Sequence, residues 1–160
     1  MSELKVEKDG THGIRTEREF DAPRDLVFRA YTEPELIQRW LGPRRYEMEI
    51  DRYEIGDGGR YRYVHRDDAG NEFGFRGVFH GDPTADSMVQ TFEWEGMPGH
   101  VALDTASLEE IEGNRTVVRT VSVYQSEQDR DGMWDSGMAE GMGEAYDQLE
   151  ELLITLKSRH

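Results

Sequence analysis

Apolar and polar residues alternate through Ile14 to Phe20 (IRTEREF), the two-residue period of a strand with one buried face. The period then changes. In DAPRDLVFRAYT, Leu26, Val27, Ala30 and Tyr31 recur at helical spacing, with Asp21 placed to cap the helix and Pro23 suited to its first turn. A second short helix is predicted from Pro34 in EPELIQRWLGP. Leu36, Ile37, Trp40 and Leu41 are its apolar residues, and Gly42-Pro43 stops it.

From Tyr46 onward the strand period returns. YEMEID places Tyr46, Met48 and Ile50 on one face, and the GDGG run at 56–59 reads as a turn into RYRYVHR, where Tyr61, Tyr63 and His65 share a face. DDAGN forms a hairpin turn leading to EFGFRGVFHGD. A further turn precedes SMVQTFEWE, in which Met88, Gln90, Phe92 and Trp94 share a face. GMPGH joins this segment to VALDTASLEEI, and Glu112-Gly113-Asn114 reverses the chain into RTVVRTVSVY. From about Glu127 the helical period takes over and continues to Lys157. Trp134, Met138, Met142, Ala145, Leu149, Leu152 and Leu156 fall on one stripe, bordered by Gly137 and Gly141.

This order predicts an α+β domain in which a curved antiparallel sheet of about six to seven strands grips a long C-terminal helix, with two short helices after the first strand. A sheet this extensive has a face to cover, and the terminal helix is the element long enough to cover it. Residues 1–13 read as a flexible polar leader, and 14–157 as a single domain without internal repeats.

Composition narrows the function. The chain has 34 acidic against 19 basic residues and a formal net charge of −15, a surface that repels phosphate backbones and argues against a nucleic-acid partner. Lys5, Lys8 and Lys157 are the only lysines, a bias consistent with a GC-rich genome or a high-salt environment. With no cysteine there is no disulfide framework, thiolate nucleophile or cysteine-ligated metal. No apolar run reaches the length of a membrane span, and the first residues lack the apolar centre of a signal peptide, so no membrane association and a cytoplasmic location are expected.

Four longer stretches carry a resemblance. REFDAPRDLVFRAYTEPELIQRWLGP, GDGGRYRYVHRDDAGNEFGFRGVFHGD with TFEWEGMPGH, and RDGMWDSGMAEGMGEAYDQLEELL together resemble proteins similar to the activator of heat-shock protein 90 ATPase, over nearly all of residues 15–155. That family lies in the START-like, or SRPBCC, superfamily. The resemblance implies the helix-grip fold with a cavity between sheet and helix. It also implies a function among those of the superfamily, whose members bind lipids, sterols, polyketides or hormones and in a minority act as cyclases or aromatases.

The residues themselves carry little catalytic signature. The five histidines, His12, His65, His80, His100 and His160, form no HxxxH or HExxH spacing, so neither a metal nor another cofactor is expected. Polar groups on inward faces are the candidates for chemistry. His65 alternates with Tyr61 and Tyr63, and Arg76 lies among Phe73, Phe75 and Val78, where it would anchor a carboxylate or phenolate unless it shares an outer face with Arg60 and Arg62. Trp40, Phe75, Phe92 and Trp94 complete a lining, and Trp134, Met138 and Met142 bring soft side chains from the helix. The expected function is therefore binding of a hydrophobic or aromatic small molecule without defined catalysis. The alternatives are a polyketide cyclase or aromatase using His65, Tyr61, Tyr63 or Arg76, and a chaperone-associated interaction protein. A weak homodimer or a protein partner is compatible with the same surface.

Overall fold

The alternating segments become the strands of one sheet because each carries an apolar row that only a common face can bury. The structure is a computed structural model whose described residues run from 3 to 159, so the first two residues of the leader and His160 lie outside them. In chain order the elements are β1 (Lys5–Asp9), β2 (Gly13–Phe20), α1 (Arg24–Thr32), α2 (Pro34–Ile37), β3 (Glu47–Tyr53), β4 (Arg60–Arg66), β5 (Glu72–His80), β6 (Met88–Trp94), β7 (Val101–Ile111), β8 (Arg115–Val123), α3 (Glu127–Asp135) and α4 (Met138–Lys157). The sheet order is β1-β2-β8-β7-β6-β5-β4-β3, every neighbouring pair antiparallel.

Eight strands form rather than six to seven. The additional strand is β1, inside the polar leader, where Val6 pairs with Thr16 and Lys8 with Ile14. Its residues are mostly exposed, as befits an edge strand, so its apolar alternation is too weak to read from sequence.

The predicted single helix from Glu127 to Lys157 is two helices. Gly137 takes the left-handed conformation (φ 87°), which ends the hydrogen-bonded run and starts α4 in a new direction. What holds α3 on its own course is Arg130, which is buried and donates from Nη1 to the carbonyls of Gly10 (3.0 Å) and Gly13 (2.9 Å) in the β1–β2 turn. Ser126 caps this helix by accepting from the Asp129 amide at 3.0 Å. The predicted cap of α1 does not form. Pro23 occupies the cap position with no side-chain bond, and the Asp21 amide instead faces Glu150.

The main core lies at one end of the molecule. Leu26, Val27 and Ala30 of α1 pack with Leu36 and Ile37 of α2 and with Leu149, Leu152, Leu153 and Leu156 of α4, over Phe20, Leu108 and Val118 of the sheet. Leu149 and Val118 have no exposed surface, and burying a leucine of this kind contributes about 2 kcal/mol. A second, aromatic cluster of Tyr61, Tyr63 and Phe79 sits on β4 and β5, joined by Met48, Ile50, Tyr53, Phe75 and Phe92. The C-terminal half of α4 thus closes one core, while the sheet between the two clusters is the region that defines the site.

Candidate functional site

Directly paired residues in an antiparallel sheet share a face, so the registers identify the inner face residue by residue. Tyr63 lies opposite Phe75 and Ile50, and Phe75 opposite Trp94. Rings in this region stack in series. Tyr61 and Tyr63 are 6.0 Å apart at 15°, Tyr63 and Phe75 5.3 Å at 25°, and Phe75 and Phe92 5.5 Å at 19°. The result is an aromatic wall over three strands. Gly77 makes it flat, because the Tyr61 ring lies across it and the Tyr61 hydroxyl donates to the Thr91 carbonyl on the far side.

His65 ends the wall. Its ring stacks on Tyr46 at 5.6 Å and packs against Tyr63 at 5.2 Å and Phe75 at 5.1 Å, while Gly42 presses its backbone onto the imidazole. Burial pushes the imidazole down to about 4, against a hydrogen bond to the backbone of Leu41 that favours the proton. The ring is therefore neutral at physiological pH, and its Nε2 has no partner among the described residues.

The other predicted residues are spread more widely. Arg76 lies on the convex face, opposite Arg62 and Glu93, half exposed and paired with Glu93 at 3.2 Å. This corrects the inward placement. Phe75 and Gly77 take the inner positions of β5, so the residue between them must point out. Trp94 stands at the exposed rim of the inner face, its ring against Gly96. Trp40 is a core residue; its indole donates to the Ala30 carbonyl at 2.9 Å, and it packs between Tyr31 and Tyr146. Trp134 belongs to α3, where the Lys8 ammonium sits 5.4 Å from its ring centre, and so it does not continue the stripe of α4. Met138 begins α4 partly exposed, and Met142 packs partly against the main core.

The centre of the inner face was not anticipated from sequence. There Gln90, Asp104 and Ser122 stand side by side on β6, β7 and β8, with Phe92, Ala106 and Thr120 adjoining. All six keep partial solvent exposure, whereas the flanking inner residues Met88, Leu108, Val118, Tyr61 and Tyr63 are buried. A packed core is driest at its middle, and on this face the middle is more exposed than its flanks. Desolvation pushes the Asp104 carboxyl up to about 6, against a hydrogen bond from Ser122 that holds it down. Beyond Ser122, on β2, Thr16 shares a hydroxyl hydrogen bond with Thr120. Arg18 is enclosed there, 3.0 Å from Asp147 and over the Phe20 ring, with Nε and Nη2 unpartnered among the described residues. The signal for Asp104 was present in VALDTASLEEI, where Ala102, Asp104, Ala106 and Leu108 alternate as one row.

An open cleft of about 420 Å³ lies at the β3 edge, lined among others by Trp40, Gly42, Tyr46, Met48 and Gln148. Gln148 on α4 donates to the Gly42 carbonyl at 2.7 Å, fixing the loop after α2 as one lip of this cleft. Among the described residues no three acidic or histidine side chains converge as a metal site, and no helix is long and apolar enough to cross a membrane.

Solved structures share this architecture. A crystal structure of a protein from Rhodobacter sphaeroides is 25% identical and superposes with a TM-score of 0.88, covering 96% of this chain and 99% of that one. A solution structure of a protein from Arthrobacter aurescens is 27% identical, with a TM-score of 0.86 and coverages of 94% and 91%. A crystal structure from Mycobacterium smegmatis, 21% identical with a TM-score of 0.84 over 94% and 96% of the two chains, shares the fold. No curated protein matches the chain. The family model for activator of Hsp90 ATPase homolog 1-like proteins matches residues 21–154, from the end of β2 into the last turns of α4, and the chain belongs to that family.

Proposed function

We propose that this protein binds a small aromatic or otherwise apolar molecule between the inner face of the sheet and the N-terminal half of α4. The observation that carries this reading is the partial exposure of Gln90, Phe92, Asp104, Ala106, Thr120 and Ser122 at the middle of a face whose flanks are buried. Space beside a stacked aromatic wall, with a few convergent polar groups, is the usual composition of a small-molecule site. Met138 and Met142 on α4 would form its adaptable side, and Trp94 its rim.

The cyclase reading has less behind it. His65 is neutral and boxed in by rings, the Tyr61 hydroxyl is engaged with a backbone carbonyl, and Arg76 faces outward. These are three of the four groups on which proton transfer would rest; the fourth, Tyr63, is stacked on Phe75 and held in its neutral form by burial. The net charge of −15 further supports an uncharged or cationic ligand over a nucleic acid.

Filling the space tests the reading. Ala106→Phe adds a ring beside its centre, where the space meets the main core, and is expected to weaken binding of the neutral fluorescent probe N-phenyl-1-naphthylamine by at least about tenfold, with the melting temperature nearly unchanged. In a filled core the same ring would overpack, costing about 1–3 kcal/mol. Absence of probe binding by the unaltered protein, together with a marked loss of stability in Ala106→Phe, would remove the proposal.

A further inference from the structure

We infer that the cross-strand row Gln90, Asp104 and Ser122 is the polar anchor of this site, and that it selects an uncharged ligand bearing a hydroxyl group over one bearing a carboxylate. The inference rests on the binding reading above and adds the chemistry of the ligand to it.

Register alone places the three side chains in line, since Gln90 pairs with Asp104 and Asp104 with Ser122. On its own strand Asp104 is flanked by Ala102 and Ala106, whose short side chains leave the carboxyl reachable from the space above. A carboxylate has about four acceptor positions. The Ser122 hydroxyl engages one, and among the described residues no lysine or arginine pairs with Asp104. The carboxyl is held above the ordinary aspartate range by desolvation, so a ligand hydroxyl donating to it restores part of the lost solvation. The Gln90 amide, adjacent in the row and bonded to the Tyr61 hydroxyl, has a second N–H for the same ligand oxygen.

A ligand carboxylate meets the opposite situation. It would lie beside the Asp104 carboxylate, in a cross-strand row that reaches β2 at Ile14 and itself carries no cation. The buried cation on this face, Arg18, stands four residues along β2 from Ile14; its Nη1 meets Asp147 at 3.0 Å, and its Nε and Nη2, without partners among the described residues, lie outside the row. Phe92, next to Gln90 in the inner row and stacked on Phe75, gives the apolar part of the ligand a flat surface beside the anchor. Phenols and aromatic alcohols fit this arrangement; fatty acids and aromatic acids do not.

Three matched probes test it by displacement of N-phenyl-1-naphthylamine at neutral pH: 2-naphthol, 2-methoxynaphthalene and 2-naphthoate. The expected order is naphthol tightest by about tenfold over the methoxy compound, which lacks the donor, with naphthoate weakest. In Asp104→Asn the advantage of naphthol shrinks and naphthoate gains about tenfold, and Asp104→Ser, a second way of removing the charge, does the same. Naphthoate binding as tightly as naphthol, or an order unchanged in both folded variants, would overturn the anchor while leaving the binding site standing. Failure of the displaced probe itself to bind would overturn the site, and the anchor with it.

Discussion

Replacing Gly77 with alanine is expected to lower the free energy of unfolding by about 3 kcal/mol. The added methyl carbon would stand 2.0 Å from the Thr91 carbonyl oxygen and 2.5 Å from the Tyr61 ring. Neither neighbour yields easily. The carbonyl is backbone in the middle of a sheet, and the Tyr61 ring is pinned by the hydrogen bond its hydroxyl gives to that same oxygen. Relief requires Tyr61 to leave the row it forms with Tyr63, at a ring separation of 6.0 Å, and the wall is disrupted along with the strand pairing. The variant should therefore lose stability and probe binding together. Urea denaturation measures the first. A midpoint within experimental error of the unaltered protein would contradict the packing described for β4, β5 and β6.

Asp104→Asn acts in the other direction. The folded-state carboxyl is raised to about 6 from an ordinary value of 3.8. A raised acid binds its proton more tightly in the folded protein than in the unfolded chain. Folding is thus penalised above pH 6, where both states must carry the anion, and not below pH 4, where both are protonated. The titratable groups that face Asp104 are Tyr61, Tyr63, Tyr124 and Tyr146, all pushed upward by burial and neutral throughout this window. The asparagine variant is expected to be more stable by about 2 kcal/mol at pH 8, after allowing for the partial exposure of the site, with the gain vanishing near pH 4. Paired urea titrations at the two pH values read this out. Equal effects at both, or a destabilised variant at pH 8, would mean that the carboxyl is solvated and lies outside the proposed chamber.

A neutral protein core tolerates such a carboxylate poorly, and its retention at the centre of the inner face is what ties the energetics to binding. Stability given up at one position is characteristic of a group whose partner arrives from outside. His65 shows the contrast. It too is a buried titratable group, but rings enclose it and a backbone hydrogen bond orients it, so it serves the wall rather than a ligand.

Much of the architecture was legible because alternation is a strong signal wherever one face is dry. VALDTASLEEI emerges as β7 over Val101–Ile111, the same residues that the pattern delimits. The β1 strand was not legible, since an exposed edge strand pays no penalty for polar residues on both faces. The break at Gly137 was hidden for a different reason. A helical stripe drawn through Trp134, Met138 and Met142 has the right spacing on paper, but spacing alone carries no information about where backbone direction changes. The long-range bonds of Arg130 to Gly10 and Gly13, which hold α3 on its separate course, are invisible in a local window.

The site itself was half legible. Tyr61, Tyr63, Phe75 and Phe92 do come together, because aromatic residues at alternate positions on adjacent strands can meet on one face only. Arg76 was resolvable by parity with Phe75, although the competing reading with Arg60 and Arg62 on the outer face had the same spacing. Asp104 was not legible because it belongs to no motif and its neighbours Ala102, Leu103, Thr105 and Ala106 carry no titratable group. An acid in an otherwise small and apolar row is the quieter signal, and in this chain it marks the centre of the proposed site.

The most direct test of the account is an NMR titration of the uniformly nitrogen-15-labelled protein with 2-naphthol. The account predicts saturable amide shifts concentrated at Gln90, Phe92, Asp104, Thr120 and Ser122, in the middle of the inner face. Shifts confined to the convex face around the exposed pair Leu103 and Val123, or no saturable shift at all, would contradict it.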